Sequence, residues 1–120
     1  MTIAERIIKS LEFTGLPIAQ TSYAGDANAY IVFRQNAMPD GFGDDAPGYD
    51  VVLITIHLFA PFTMNTSKLK SKIRKAIFDI GATYPTVVDV SENARTGDGT
   101  EQHIVFECEI EEVIDDGIVI

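Results

Sequence analysis

Tryptophan is absent from this 120-residue chain and cysteine occurs once, at Cys108. A single thiol excludes an intrachain disulfide and fits a reducing compartment. Long apolar runs are missing too. None approaches the ~20 residues that a membrane-spanning helix needs, so no membrane partner is expected. The opening Met1-Thr2-Ile3-Ala4-Glu5-Arg6 lacks the apolar core of a signal peptide, which makes the cytoplasm the expected place of folding. Basic residues are scarce, nine Lys and Arg against eighteen Asp and Glu, for a net charge of −9. Such a surface repels phosphate backbones, so direct nucleic-acid recognition is not expected. Histidine occurs only at positions 57 and 103. Isolated histidines do not make a metal centre or a general base without partners brought to them by the fold, and the spacing shows none.

The residues that are present describe one domain over 1–120, with a short tail at 115–120. At this length a chain buries roughly two thirds of its unfolded surface and needs no metal or disulfide to fold. Thr2 is placed to N-cap a helix ending at Leu11, with Glu5 at the capping-box spacing and Ile3, Ile7 and Leu11 on one face. Ala29 to Gln35 reads as a strand. The Gly-, Pro- and Asp-rich stretch 36–48 reads as a loop or long hairpin arm, longer than most connections.

Tyr49 to Phe59 reads as a long strand, apolar on both faces, hence expected to be central and covered on both sides. Pro61 breaks it. Asn65 or Thr66 caps a second helix running to about Ile80, with Gly81 closing it and Leu69, Ile73, Ala76, Ile77 and Ile80 as its buried stripe. Thr86 to Glu92 is a further strand and 93–100 a hairpin loop. Gln102 to Ile114 is a final strand that turns Ile104, Phe106, Cys108 and Ile110 to one side and Val105, Glu107, Glu109 and Glu111 to the other. The expected fold is α+β and two-layered. It comprises a mostly antiparallel sheet of about four strands with two helices packed on it, in the order α-β-β-α-β-β.

No catalytic residue, metal ligand or cofactor-binding residue emerges from this pattern. Cys108 lies among apolar neighbours and reads as an inert core thiol. Asp40, Asp44, Asp45 and Asp50 do not follow the calcium-loop spacing. Gly97-Asp98-Gly99 is not followed by a helix and reads as a turn. The charges are nevertheless segregated. Lys68, Lys72 and Lys75 form a basic stripe at helical spacing, while Glu107, Glu109 and Glu111 form an acidic one on the final strand. Oppositely charged patches on different parts of one molecule suit a head-to-tail interface, which closes into a ring when the rotation between copies allows. These six residues, with Asp44 and Asp45 in the long loop, are the candidate subunit interface.

The chain resembles the small tail-completion, or tail-terminator, proteins of long-tailed bacteriophages and prophages. The resemblance spans about residues 2–114. It rests on the short first helix ending at Gly15-Leu16-Pro17, then Tyr30-Ile31-Val32-Phe33, the Gly/Asp-rich loop and the strand from Asp50 to Phe59. It continues through the helix from Leu69 to Ile80 and the closing His103-Ile104-Val105-Phe106-Glu107-Cys108-Glu109-Ile110. It implies an α+β structural protein of the virion without enzymatic activity. Its copies would form a ring, usually of six, that caps the tail tube and joins it to the head connector. The partners are then other copies of the chain, the tail-tube protein and the head-connector protein. Two other readings fit the composition: a small dimeric ligand-binding or regulatory α+β module, and a small enzyme using His57 or His103.

Overall fold

The computed structural model describes residues 1–40, 48–91 and 101–113. Helix α1 runs Ile3–Leu11, entered through a complete capping box: the Glu5 amide donates to Thr2 Oγ1 (3.1 Å) and the Thr2 amide to Glu5 Oε1 (2.9 Å). A single 3₁₀ turn, Glu12–Thr14, ends at Gly15 with φ 71°, a left-handed exit that glycine adopts without a Cβ penalty. The strands are β1 (Ile18–Gln20), β2 (Tyr30–Asp40), β3 (Tyr49–Pro61), β4 (Thr86–Asp89) and β5 (Glu101–Val113), with helix α2 (Ser67–Asp79) between β3 and β4. They form one five-stranded mixed sheet in the order β1-β2-β3-β5-β4. The β1–β2 pair is parallel and the other three are antiparallel.

The α+β class and the two helices agree with the sequence, but the sheet has five strands rather than four and the order is α-β-β-β-α-β-β. The added strand, β1, is three residues long and carries no alternation to read. Tertiary pairing of Ile18 with Ile31 and Gln20 with Phe33 makes it a strand. Strand β2 also runs on to Asp40, so the first half of the expected loop is ladder, paired from Asn36↔Leu53 to Asp40↔Tyr49. Strand β4 ends at Asp89, short of Glu92.

Both helices pack on one face of the sheet. Ile3, Ile7 and Leu11 of α1, with Ile73 and Ile77 of α2, meet Ile31, Phe33, Val52, Ile54, Ile56, Leu58, Ile104, Phe106 and Ile110 in one continuous core. The expectation that β3 is covered on both sides is not met. Val52, Ile54, Ile56, Leu58 and Ala60 are buried, whereas the residues between them are half-exposed on a face that no helix covers among the described residues. That second face is apolar because long side chains shield one another laterally along the ladder, which a local sequence pattern does not distinguish from a second covering layer.

Gln102 fixes the approach to α2. Its Nε2 donates to the carbonyls of Pro61 (2.9 Å) and Met64 (2.7 Å), and its Oε1 accepts from the buried Thr66 hydroxyl (3.0 Å). Thr66 occupies the N-cap position but spends its hydroxyl on Gln102, and Asn65 Oδ1 instead accepts from the Ser67 amide. At the far end Gly81, with φ 105°, leaves the helix, and the Thr83 amide donates to the Glu109 carbonyl. The fold is elongated, with extents of 56 × 26 × 25 Å.

Candidate functional surfaces

The face of the sheet opposite the helices is ordered by register into rungs. Tyr30, Phe59 and His103 lie side by side across β2, β3 and β5; then Val32, His57 and Val105; then Arg34, Thr55 and Glu107; then Asn36, Leu53 and Glu109; then Met38, Val51 and Glu111. One end is aromatic and the other acidic. At the aromatic end four rings stand in a row. Tyr23 stacks on Tyr30 (4.5 Å between centroids), Tyr30 on Phe59 (4.9 Å), and Phe59 on His103 (4.2 Å). Tyr23 reaches this row because the parallel β1–β2 pairing forces segment 21–29 to return across the open face. Its hydroxyl accepts from the Ala27 amide.

His57 and His103 are diagonal neighbours, with Nδ1 of His57 2.8 Å from Nε2 of His103 and one proton between them. Both imidazoles are held below the ordinary histidine value. Partial burial is the leading cause for each; His103 and Arg34 add to it at His57, with Glu107 opposing, while Glu101 and Asp89 oppose it at His103. The Tyr30 phenol is pushed up by burial, then by Glu101 and Tyr23. Around this group lies an open hollow of about 380 Å³, lined by Thr21, Ser22 and Arg34 as well as the rings and Val32. The sequence places each histidine in a strand but assigns neither to an open face, since its pattern has β3 covered on both sides. It does not give the β3–β5 register that joins them, because 41 residues intervene between Pro61, which ends β3, and His103. Tyr23, Tyr30 and Arg34 carried no signal of their own.

Lys68, Lys72 and Lys75 are exposed on the outer side of α2, in the helical layer. Lys75 Nζ also meets Asp79 at 3.2 Å. Arg74 is engaged differently: its Nε donates to the Pro85 carbonyl and its guanidinium lies 4.5 Å from the centre of the Tyr84 ring. Glu107, Glu109 and Glu111 are exposed on the open face of the sheet, the opposite layer of the molecule. Asp44 and Asp45 lie outside the described residues, as does the 93–100 loop. Cys108 is buried on the core side, and burial, with Glu109 adding to it, pushes its thiol up to about 11. Among the described residues no group of three or more His, Cys, Asp and Glu side chains is placed to hold a metal ion. No helix among them is long and apolar enough to cross a membrane.

No protein-family model matches the chain, and no curated protein matches it. A solved structure whose designation names no function aligns over 94% of this chain and 97% of its own, with a TM-score of 0.53 and 8% identity. At that identity the likeness is one of fold.

Proposed function

We propose that the chain is a structural subunit of a phage or prophage tail, a tail-completion protein. Its copies close head to tail into a ring that caps the tail tube and meets the head connector. The observation that carries this reading is the placement of charge. The basic stripe of α2 and the acidic stripe of β5 occupy opposite layers of the fold, so one copy can offer its helical layer to the open sheet face of the next without using the same surface twice. Leu53, Val51 and Val105 beside the glutamates add half-exposed apolar area to the acidic face. Phe13, half-exposed, does the same beside Lys72 and Lys75. Charge pairing of this kind sets orientation and encounter rate more than affinity.

Light scattering over a range of protein and salt concentrations tests the proposal. Six copies of a 13.1 kDa chain weigh about 79 kDa, and a closed ring holds that mass on dilution. Salt weakens a charge-assisted ring. A salt-insensitive dimer would replace the ring with the small binding module, the reading that the hollow at the aromatic end favours. A monomer that also fails to bind tail-tube protein would end the tail-protein reading.

A further inference from the structure

The hollow at the aromatic end of the open face holds a fixed cation, Arg34, in an otherwise acidic chain. Among the described residues no carboxylate lines this hollow, while Arg34 and two histidines do; Glu107, Glu101 and Asp89 act on the histidines from outside it. The Thr21 and Ser22 hydroxyls in its lining can donate to an anion as well. The ring row adds to this. The four rings are stacked on one another, tilted by only 22–26° between neighbours, so their faces are occupied and their edges remain. Aromatic edges carry the positive end of the ring quadrupole. Thr21 also has φ 76°, a left-handed conformation that a β-branched residue adopts only under strain, and it is pinned there by its amide donating to the Phe33 carbonyl. Strained backbone of this kind concentrates where a chain is shaped around a ligand.

From these observations we infer that the hollow is a binding site for a small organic anion, a flat apolar body bearing one carboxylate or phosphate group. Arg34 takes the anionic group through its guanidinium fork, with the Thr21 and Ser22 hydroxyls beside it. The apolar body lies against Val32 and the edges of Tyr30 and Phe59. The volume of about 380 Å³ sits at the small end of ligand pockets, which suits a single-ring acid. His57 reports occupancy. Partial burial, then His103 and Arg34, with Glu107 opposing, set its protonation in the free protein, and an anion placed beside Arg34 offsets the repulsion that Arg34 exerts on the imidazolium. Anion binding and oligomer mass are read in separate experiments, so the site does not rest on the ring reading.

Titration of the isotope-labelled full chain with benzoate, phenyl phosphate and the neutral benzyl alcohol, followed by NMR, tests the inference. Saturable shifts at Tyr30, Phe59 and both imidazoles with one or both anions, together with a raised His57 pKa, are the expected result. The tighter of the two anions names the group recognised. Arg34 is exposed, so Arg34→Gln keeps the fold, and it should weaken anion binding about tenfold or more, the scale of a lost charged hydrogen bond. Arg34→Lys should fall between. Unmoved signals up to about 10 mM of either anion, where binding would supply less than ~3 kcal/mol, would overturn the inference. Benzyl alcohol binding as well as the anions would also overturn it, as would an Arg34→Gln variant that binds them unchanged.

Discussion

Replacing Gln102 with alanine removes the clamp between β5 and the turn that leads into α2. Three hydrogen bonds go with it, two donated by Nε2 to the Pro61 and Met64 carbonyls and one accepted from Thr66. Each is worth about 0.5–1.5 kcal/mol net, and a buried hydroxyl left without an acceptor costs about 1–3 kcal/mol more. Thr66 is 4% exposed, so water does not readily replace the lost acceptor, whereas Pro61 and Met64 are only partly buried. The combined loss is then about 2–4 kcal/mol. For a domain of this size that lowers the Tm by about 8–20 °C, measured by thermal circular dichroism. Thr66→Val removes the hydroxyl alone and should cost about 1 kcal/mol. The double variant should cost less than the two singles together, because both break the same bond. Gln102→Glu keeps the shape but turns a carboxylate oxygen toward two carbonyls, so it should be at least as unstable as Gln102→Ala near neutral pH and partly recover in acid. A Gln102→Ala variant melting within about 2 °C of the parent would refute the clamp.

Four further outcomes follow from the structure. Replacing Lys68, Lys72 and Lys75 together with glutamate should abolish the salt-sensitive assembly while leaving the melting profile near that of the parent. Compensating Glu107→Lys, Glu109→Lys and Glu111→Lys should restore assembly between the two variants when mixed, and normal rings from the lysine variant alone would exclude charge pairing. Stability should fall as the pH drops below about 6.5, the unfolded histidine value, because the lowered folded pKa of His57 and His103 means that the unfolded chain binds protons first. His57→Gln, followed by denaturant titration across that range, should flatten the slope. Phe106 is fully buried in the core, and Phe106→Ala should cost about 3–5 kcal/mol by urea unfolding. Cys108, with its thiol pushed up to about 11, should resist thiol reagents in the folded protein and react on unfolding; rapid labelling of the native chain would contradict its burial.

What the sequence made legible is what local chemistry decides. Thr2 and Glu5 mark the start of α1 because both partners of the capping box lie within one turn. The alternation of Ile104, Phe106, Cys108 and Ile110 against Glu107 and Glu109 states which way β5 faces. The exposed lysine stripe of α2 follows from helical spacing in the same way. The rest depends on pairing between distant segments. Three residues at Ile18–Gln20 become a strand only because Phe33 and Ile31 lie alongside. His57 and His103 meet only because β3 and β5 pair in one register, and a shift of a single residue would turn His103 to the other face. The apolar outer row of β3 misled for a related reason: Leu53 and Val51 are sheltered by neighbours within the sheet rather than by a further layer.

The length of β2 beyond its short neighbour has a consequence for how the protein behaves when crowded. Strand β1 covers β2 only at Ile31–Phe33, so from Gln35 onward the outer margin of β2 has no neighbouring strand among the described residues. The Ile31 amide and the Phe33 carbonyl both point toward that margin, and strict alternation sends the backbone groups of Gln35, Ala37 and Pro39 the same way. Proline has no amide hydrogen to offer, and at position 39 the missing donor falls on the bare margin rather than on the β3 side. A foreign strand arriving there finds two amide donors, at Gln35 and Ala37, and then a gap. Pro39 therefore limits edge-to-edge templating between folded molecules, and a chain with threonine in its place would carry a longer adhesive margin and a greater tendency to form fibrils.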